Sequence, residues 1–395
     1  MTTAATEIAT TMRNPAFSVS ILAHVRSVMP AESSKLTVAP ANRVSSSYRS
    51  APDDRRHALS VVVPCFNVEK EVAGVIRELP SWVACIVAVN DGSTDGTATV
   101  LNELAAEDAR LKVIHRDRNG GVGAAMVTGY EVALESGADF IVKMDGDGQM
   151  DSKELPRLLQ PLLDGRADYA KGNRFRHVSD LQRMPRVKLF GNILLTFITK
   201  LVSGYWQIFD VQNGYTAISR EALQALPLDQ IERGYSFENS VLALLNLENR
   251  PVADIPMPAV YGNERSSMRV SRVVLGFPPR LARMLFRRLV YKYVVYDTSP
   301  VALYLGLGTL LGGFGTVFGA YEWRLSIQTG IPATAGTVVA ALLPFLMGFL
   351  LLLQAVGLDI AQSPHLRDPR ETLDVEEVPS RFVGDAAQVG DPEGR

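Results

Sequence analysis

Cysteine is scarce in this sequence: its 395 residues include only Cys65 and Cys85. Neither belongs to a CxxC pair or has a nearby histidine partner, which disfavours a disulfide framework and a zinc site and makes a reducing compartment the default. A surplus of charge is also missing, because 40 basic and 42 acidic residues leave a formal net charge of −2. This balance gives no bulk electrostatic reason to bind nucleic acid, so we expect no nucleic-acid partner.

Charge is absent altogether from two long stretches. Val301–Tyr321 has 21 uncharged residues and Ile331–Leu358 has 28, and each can cross the roughly 30 Å hydrocarbon core of a bilayer as a helix. They predict a transmembrane hairpin over residues 300–360, and the alternative is a pair of buried core helices in a soluble protein. Small residues suit close contact between membrane helices, and the first stretch contains Gly306, Gly308, Gly312, Gly315 and Gly319.

Basic residues gather at the outer flanks of these two stretches. They are Arg280, Arg283, Arg287, Arg288, Lys292, His365, Arg367 and Arg370, whereas Arg324 in the connecting loop is offset by Glu322. Because Lys and Arg collect on the cytoplasmic side, we expect an inner (plasma) membrane protein with both termini in the cytoplasm. No N-terminal signal peptide is evident, since the apolar stretch Ala16–Val25 is short and contains His24.

Composition separates the remaining segments. Residues 1–57, rich in Ser, Thr and Ala, and the polar, acidic tail 361–395 are expected to be disordered. Residues 265–299 are basic and carry apolar side chains at helical spacing, which predicts amphipathic helices lying on the anionic cytoplasmic leaflet. The alternative is a surface helix packed on the rest of the protein. Residues 58–264 are the expected folded domain.

In residues 58–264, short apolar stretches alternate with helical patterns. Strands are expected at Ser60–Val63, Cys85–Val89, Lys112–Ile114 and Phe140–Met144, and helices at Val68–Leu79, Thr94–Asp108 and Val122–Ser136. Continuous apolar strands that alternate with helices are typical of a parallel sheet covered on both faces. We therefore predict an α/β domain with a mostly parallel, Rossmann-like sheet flanked by helices, whose ligands bind at the carboxyl ends of the strands.

Polar and glycine-rich residues follow these four strands, so four loops are expected to converge on one edge of the sheet. Asp91, after the second strand, suits a hydrogen bond to a base or ribose, or alternatively a turn. The glycines of Gly120-Gly121-Val122-Gly123 suit the close approach of a phosphate or ribose. Met126 at the third glycine position, together with the place of the motif after the third strand, argues against a dinucleotide-binding fingerprint.

Asp145 and Asp147 stand two residues apart where the fourth strand opens into a loop. Two such carboxylates can reach one hard cation, and Mg²⁺ and Mn²⁺ prefer oxygen ligands that they usually share with substrate phosphates. Gln149 can add a carbonyl oxygen to the same site. The alternative is a polar turn whose aspartates cap the helix that begins near Ser152.

Six segments taken together resemble one family. They are VVVPCFN, VNDGSTDGT, RNGGVGAAMVTGY, KMDGDGQMD, KGNRF and QNGYTAISREAL. The chain resembles family-2 glycosyltransferases of the GT-A type, and among them the polyprenyl-phosphate sugar transferases similar to dolichyl-phosphate mannose synthase. The resemblance implies inverting transfer of one sugar from a nucleotide diphosphate sugar to a polyprenyl phosphate, such as undecaprenyl phosphate. It also implies Mg²⁺ or Mn²⁺ as cofactor and a role in cell-surface glycan synthesis on the cytoplasmic face of the membrane.

The resemblance further implies a role for individual residues. The nucleotide is expected at Pro64, Phe66, Asn67, Asp91, Gly121 and Asp145, the metal at Asp145, Asp147 and Gln149, and the acceptor phosphate at Arg174, Arg186 and Arg265. The residues expected to take part in catalysis are Asp145, Asp147, Arg174 and Glu238. An alternative for Glu238 is a solvated carboxylate at a helix start.

The chain also departs from the family. Many relatives have Gly-Phe-Arg where this sequence has Gly214-Tyr215-Thr216, so an arginine contact is missing or is supplied by Arg220 or Arg265. Gln-x-x-Arg-Trp is absent, which argues against a cellulose- or chitin-type synthase. Transfer to a hydroxyl of a lipid-linked oligosaccharide is one alternative function, and an inactive membrane scaffold or sugar-binding subunit is another. The sugar, the nucleotide base and the oligomeric state, a homo-oligomer included, are left open.

Overall fold

A seven-stranded sheet organises the part of the chain that the structure describes. This computed structural model describes residues 56–174, 186–211, 213–234, 236–258, 270–370 and 373–382, and the side chains of 186–194 and 270–277 lie outside the description. The strands are β1 (Leu59–Cys65), β2 (Cys85–Asn90), β3 (Leu111–His115), β4 (Phe140–Lys143), β5 (Tyr169–Asn173), β6 (Thr216–Ser219) and β7 (Val252–Pro256). The helices are α1 (Val72–Arg77), α2 (Thr97–Glu107), α3 (Val122–Glu135), α4 (Leu155–Leu163), α5 (Arg186–Ser203), α6 (Arg220–Ala225), α7 (Phe237–Leu247), α8 (Val270–Val290), α9 (Pro300–Thr329) and α10 (Ala335–Ala361).

The sheet is mostly parallel and has the strand order β3-β2-β1-β4-β6-β5-β7. Parallel pairs join β1 to β2 and β4, β2 to β3, and β5 to β7. Strand β6 runs antiparallel to both of its neighbours, β4 and β5. The four predicted strands and three predicted helices are present, so the expected mostly parallel α/β sheet with flanking helices is confirmed.

Strand β1 is buried on both of its faces. Val61 and Val63 belong to one hydrophobic cluster, whereas Val62 belongs to a second one. Successive side chains of a strand point to opposite faces, and helices cover both faces here, so the sequence of the strand is continuously apolar. Helix α3 approaches so closely that a Cβ atom on Gly129 would lie 2.2 Å from Cγ1 of Val62.

Helix α8 lies within the range predicted for juxtamembrane helices and continues into a π-helix at Tyr291–Val295. It packs against α5 and α7. Leu281 and Arg288 are buried, whereas Arg283 and Phe286 are exposed. One face of the helix therefore joins the sheet domain, as the surface-helix alternative expected, while the other carries apolar and basic side chains that remain exposed.

Helices α9 and α10 form a hairpin, and each is long and apolar enough to cross a membrane. They contain 30 and 27 residues, which corresponds to about 45 and 40 Å at roughly 1.5 Å per residue. Large apolar side chains along both helices are exposed, for example Leu310 at 68% and Leu350 at 62%. Because core helices of a soluble protein bury such side chains, the alternative of two buried core helices is wrong.

The turn between these two helices is shorter than the sequence predicts. Helix α9 continues through Glu322 and Arg324 and ends at Thr329. Gly330 then adopts a left-handed conformation with a φ of 66°, which is the usual way in which a helix ends.

Glycines allow the two helices of the hairpin to approach each other, as the sequence predicts. A Cβ atom on Gly315 would lie 2.6 Å from the carbonyl oxygen of Ala341, and one on Gly348 would lie 2.3 Å from the backbone nitrogen of Gly312. Gly306 takes no part in this contact, because the space around it is open.

The segment after α10 packs against the sheet domain as far as residue 382, so the prediction of disorder from residue 361 is wrong for its described part. Arg367 donates two hydrogen bonds to the carboxylate of Asp168, at 2.8 and 2.7 Å. Phe382 is 2% exposed and stacks on Trp82 with ring centroids 5.2 Å apart. Because the segment is polar overall, its composition gives no sign of the few side chains that anchor it.

The same segment ends beside the beginning of the sheet. His57 and Phe382 form a parallel β-bridge, and the backbone nitrogen of His57 donates to the carbonyl oxygen of Arg381 at 2.7 Å. Apart from Arg56 and His57, the predicted disordered extension 1–57 lies outside the described residues.

Candidate active site at the carboxyl edge of the sheet

The loops after β1, β2, β3 and β4 meet at the carboxyl edge of the sheet, as the sequence predicts. The backbone nitrogen of Asp91 donates to the carbonyl oxygen of Cys65 at 2.8 Å, which joins the first two loops. A Cβ atom on Gly146 would lie 3.4 Å from the carbonyl oxygen of Pro64, which brings the acidic loop against the first loop. The candidate residues are thus neighbours in space although more than 80 positions separate Pro64 from Asp147.

The carboxylate of Asp91 is buried at 3% exposure and engaged by the third loop. It accepts hydrogen bonds from the backbone nitrogens of Gly120, at 3.0 Å, and Gly121, at 2.8 Å. Its other partner is the guanidinium of Arg116. In this structure Asp91 therefore holds the glycine-rich loop in position, and the predicted contact with a nucleotide stays a prediction.

The glycines of that loop make room for another part of the chain. A Cβ atom on Gly121, whose φ is 90°, would lie 2.6 Å from the carbonyl oxygen of Arg233, and one on Gly123 would lie 2.0 Å from that of Glu232. The Arg233 carbonyl also accepts from the backbone nitrogens of Gly123, at 2.9 Å, and Ala124, at 3.2 Å. Two of the amides at the start of α3 are thus bound by the backbone of 232–234, and the predicted approach of a phosphate or ribose to this loop stays a prediction.

Asn67 links the first two loops. It has a φ of 54°, and its side-chain oxygen accepts from the backbone nitrogen of Thr94 at 2.8 Å. Its own backbone nitrogen donates to Oγ of Ser93 at 3.0 Å. Its neighbour Phe66 is 45% exposed at the edge of the sheet, where an aromatic ring can stack on a planar group.

The acidic loop concentrates negative charge. Asp147 is partly buried, and its Oδ1 accepts from the backbone nitrogen of Gln149 at 3.1 Å. Burial, and in second place the charge of Asp145, raise the pKa of the Asp147 carboxyl. A cation bound here would relieve this repulsion. Within the described residues no group of three or more His, Cys, Asp or Glu side chains could hold a metal, so a metal would depend on these two carboxylates and on substrate oxygens, as Mg²⁺ commonly does.

The capping alternative for this loop applies to another residue. Asp151 is the N-cap of the short 3₁₀-helix Ser152–Glu154, and its side chain accepts from the backbone nitrogen of Lys153 at 2.9 Å. Asp145 and Asp147 take no part in that cap, which leaves them at the edge of the sheet.

Lys143, the last residue of β4, is 1% exposed and holds two candidate residues together. Its Nζ lies 2.6 Å from Oδ1 of Asp145 and 3.6 Å from Oε1 of Glu238, and it donates to the carbonyl oxygen of Gly214 at 3.2 Å. Burial by itself lowers the pKa of Lys143, but the two carboxylates outweigh it and the pKa is raised. Glu238 is buried at 7% exposure, so the alternative of a solvated helix-start carboxylate is wrong.

A second buried lysine supports the same loop. Lys171 in β5 is 0% exposed and donates to the carbonyl oxygen of Asn213. Burial lowers its pKa to about 8. The ammonium groups of β4 and β5, the strands on either side of β6, thus bind the carbonyl oxygens of Gly214 and Asn213. These carbonyls lie at the start of the segment where this sequence departs from Gly-Phe-Arg.

Arg174, which follows β5, is held by a buried carboxylate. Its Nε lies 2.8 Å from Oδ2 of Asp210, and its backbone nitrogen donates to the same oxygen at 3.2 Å. Asp210 is 1% exposed, so it fixes the guanidinium from the protein side. Of the other two predicted phosphate ligands, Arg186 begins α5 but its side chain lies outside the description, and Arg265 lies outside the described residues. Arg220, proposed to replace the missing arginine, is bound instead to the carbonyl oxygens of Leu134 and Ala138.

Sequence reasoning missed Lys143, Lys171 and Asp210 as part of this site. A lysine inside an otherwise apolar strand is a signal for the first, because an ammonium in a strand covered on both faces needs a partner. Nothing in the sequence around Asp210 distinguishes it from a surface aspartate, since its partner Arg174 is 36 positions away.

Comparison with known proteins places the chain among sugar transferases. A model described as glycosyl transferase family 2 matches residues 60–226. The chain is 30% identical over 230 residues to UDP-N-acetylglucosamine–dolichyl-phosphate N-acetylglucosaminyltransferase of Methanococcus voltae, covering 55% of this chain and 91% of that protein. It is 32% identical over 184 residues to polyprenol monophosphomannose synthase of Mycolicibacterium smegmatis, covering 45% and 68%.

Two further comparisons complete this picture. The undecaprenyl-phosphate mannosyltransferase of Micrococcus luteus is 28% identical over 218 residues, which are 54% of this chain and 88% of that protein. Among solved structures, that of glucosyl-3-phosphoglycerate synthase from Mycobacterium tuberculosis is 20% identical, covers 61% of this chain and 80% of its own, and aligns with a TM-score of 0.43.

Two helical glycines offer opposite predictions for stability. Gly74→Ala in α1 has open space around its new methyl group and should stabilise the fold by about 0.5–1 kcal/mol, the advantage of alanine in a helix. Gly123→Ala in α3 should destabilise it by about 1–3 kcal/mol, because its methyl group meets the backbone of 232–233. Thermal or chemical unfolding of both variants measures the difference. Equal effects would show that the close backbone contact at Gly123 does not exist.

Proposed function

This chain belongs to glycosyl transferase family 2, and from this premise we propose that it transfers one sugar, with inversion, from a nucleotide diphosphate sugar to a polyprenyl phosphate. The observation that carries the proposal is the attachment of the candidate site to a helical hairpin that suits a membrane, because an acceptor with a long isoprenoid tail lies in a bilayer. Three relatives are named for transfer to dolichyl, polyprenol and undecaprenyl phosphate.

We assign the donor to the loops after β1, β2, β3 and β4. Phe66 is the exposed aromatic ring that suits stacking on the base, and Pro64 and Asn67 shape the loop that carries it. Asp91 and Gly121, which are hydrogen-bonded to each other at 2.8 Å, form the floor beneath the nucleoside. The diphosphate then lies towards the acidic loop.

Asp147 and Asp145 fit a divalent cation, with Gln149 beside them. Their carboxylates lie two residues apart in a loop where burial, and in second place the charge of Asp145, raise the pKa of the Asp147 carboxyl. When bound, Mg²⁺ or Mn²⁺ supplies charge neutralisation for the leaving diphosphate. The chain itself keeps Asp145 in one orientation through the buried ammonium of Lys143, 2.6 Å away.

The acceptor phosphate needs no general base. Its second pKa is near 6, so at about pH 7 the group is mostly a dianion and already a competent nucleophile. What the protein must supply is position and positive charge. Arg174 suits this role because an arginine fork binds phosphate oxygens and Asp210 holds this fork from the buried side at 2.8 Å.

A hydroxyl acceptor is the runner-up, and Glu238 is the observation that favours it. A hydroxyl is a weak nucleophile and needs a base, and Glu238 is a buried carboxylate 3.6 Å from the ammonium that also binds Asp145. Loss of activity in Glu238→Gln with both substrates still bound would support the hydroxyl acceptor. Unchanged turnover in that variant would support the phosphate.

A screen of nucleotide sugars tests the proposed reaction. Full-length protein in detergent or nanodiscs, with undecaprenyl phosphate and Mn²⁺, should transfer radiolabel from one donor into a lipid-soluble product. Because the product is a glycosyl phosphate, mild acid should release the label as free sugar. Label released as part of an oligosaccharide, rather than as a monosaccharide, would point to a hydroxyl acceptor on a lipid-linked oligosaccharide, and no lipid-soluble label from any donor would contradict the proposal.

Asp147→Ala in the same assay should lower the rate of transfer by at least about 100-fold, because no metal ion then neutralises the charge of the leaving diphosphate. Asp151→Ala is the matched control: it removes a carboxylate from the same stretch, but one that caps a 3₁₀-helix through Lys153. The control should keep activity within a fewfold range. Near-normal activity of Asp147→Ala, or equal loss in both variants, would contradict the metal assignment.

Arg174→Ala should raise the KM for polyprenyl phosphate by about tenfold or more and slow transfer, while the KM for the nucleotide sugar changes little, because one charge-assisted pair to phosphate is worth about 1.5–3 kcal/mol. Asp210→Asn should act in the same direction, since it loosens the guanidinium. Arg174→Lys should rescue only in part, because it keeps the charge and loses the fork. A rise in nucleotide-sugar KM with unchanged acceptor kinetics would disprove the assignment.

We propose that both ends of the hairpin face the cytoplasm, since basic residues flank it on the side of α8. A cysteine placed at the exposed Gln328, near the turn, should react with a membrane-impermeant reagent from outside the cell. A cysteine at the exposed Glu376 is the control and should react only after the membrane is opened. Cys65 and Cys85 are buried and should contribute no background, and the opposite pattern of labelling would reverse the topology.

A further inference from the structure

A buried ion pair stands at the base of the hairpin. Arg288 in α8 and Asp359 in the last turns of α10 are 1% and 3% exposed. The guanidinium donates through both terminal nitrogens, to Oδ1 of Asp359 at 2.8 Å and to Oδ2 at 2.9 Å. The hydroxyl of Tyr293 also donates to Asp359. None of these three residues is among those predicted to bind the metal, the nucleotide or the acceptor phosphate, and the proposed chemistry makes no use of them.

The same guanidinium reaches two elements of the sheet domain. It donates to the carbonyl oxygen of Leu201 near the end of α5, at 2.9 Å, and to Oδ1 of Asn246 in the last turn of α7, at 3.4 Å. Lys292 adds a second hydrogen bond to that Oδ1 at 2.9 Å. We call Arg288, Asp359, Tyr293 and Asn246 the membrane latch, because together they join α10 to α8, α5 and α7.

A charge in this place is costly unless it is paired. A carboxylate in an apolar membrane helix is rare and expensive, and its partner is usually functional. Buried ion pairs are weak sources of stability compared with apolar packing of the same volume. Their geometry is specific, however, because a two-nitrogen fork on a carboxylate fixes the rotation and the separation of two helices, whereas apolar side chains can slide. The membrane latch is thus better explained as a device that fixes the orientation of α10 relative to α8 than as a source of folding stability.

Helix α7 and the segment that follows α5 connect the membrane latch to the candidate site. Helix α7 has Asn246 near its end and Glu238 in its first turn, eight residues earlier, which is about 12 Å at roughly 1.5 Å per residue. Glu238 contacts Lys143 of the acidic site. From the end of α5 the chain leads within ten residues to Asp210, which holds Arg174. Arg174, which is assigned to the acceptor phosphate, and Glu238, which contacts the acidic site, are therefore both connected to the hairpin through the latch.

We propose that the pair Arg288–Asp359 is a positioning device for a membrane-embedded acceptor: it sets the height and tilt of the active site above the bilayer, so that the phosphate of a long-chain lipid reaches Arg174. This rests on the proposed function. The pair is required for transfer to an acceptor whose phosphate is confined to the membrane surface. It is dispensable for an acceptor that diffuses to the site from water.

The test compares two acceptors in proteoliposomes, with the donor found by the screen. One is undecaprenyl phosphate in the bilayer, and the other is a ten-carbon isoprenyl phosphate in solution. The double variant Arg288→Met with Asp359→Leu replaces both partners by apolar groups and leaves no unpaired charge. We expect its kcat/KM for undecaprenyl phosphate to fall about tenfold or more, since small misplacements are costly. The values for the short acceptor and the KM of the donor should stay within twofold.

Two further variants guard against a general loss of structure. Arg288→Lys keeps a buried charge pair and loses the fork, so it should show a smaller loss of the same selectivity. Arg110→Met breaks a partly exposed ion pair inside the sheet domain, where Arg110 binds Asp108 at 2.8 Å, and it should treat the two acceptors alike. If the latch variants lower transfer to both acceptors equally, or to neither, the proposal is overturned.

A distance measurement tests the latch without catalysis. A fluorophore on a cysteine at Glu103, an exposed position of α2, is paired with a dye on lipid headgroups. Energy transfer should report a broader or shifted distance distribution in the double variant than in the unchanged protein, and identical distributions would overturn the proposal. If the unchanged protein transfers sugar to neither acceptor, the proposed function fails. The distance measurement alone then tests whether the membrane latch positions the sheet domain above the bilayer.

Discussion

The buried ammonium of Lys143 is the constraint on which the candidate site depends. An ammonium with 1% exposure cannot stay charged in a protein interior without partners, and here it takes Asp145, Glu238 and the carbonyl oxygen of Gly214. This one group therefore brings the acidic loop, helix α7 and the loop before β6 to the same point. It also fixes the carboxylate of Asp145 from the buried side of the loop. Asp147 remains the partly buried carboxylate at the edge of the sheet.

The same helix that Lys143 holds at one end is held near its other end by Arg288. Glu238 and Asn246 belong to α7, a rigid element whose first turn faces the acidic site and whose last turn meets the base of the hairpin. The acidic site and the base of the hairpin are thus joined through one helix. The segment after α10 adds a second attachment, since Arg367 binds Asp168 at 2.7 Å and Phe382 is buried beside Trp82.

Particular residues explain which predictions were right. Asp145 and Asp147 could be assigned to the edge because the carboxyl ends of neighbouring parallel strands share one side of a sheet, and the strand before them is plainly apolar. Gly121 and Gly123 were expected to admit a phosphate or ribose, which stays a prediction, but nothing in the sequence indicated that they also admit the backbone of 232–233, because that segment is about 110 positions away. The order of the described residues 361–370 and 373–382 escaped notice because their anchors are few and lie among polar residues.

The sequence by itself determined the alternation of strands and helices, the acidic loop at a strand end and the two helices that suit a membrane, because each of these is encoded by local periodicity and by the absence of charge. Only the tertiary structure decided which charged groups pair with each other. Lys143 with Glu238, Arg174 with Asp210, and Arg288 with Asp359 are 95, 36 and 71 positions apart. The reason is physical: burial makes a partner obligatory, but a sequence does not say which of 42 acidic residues the fold will bring within reach.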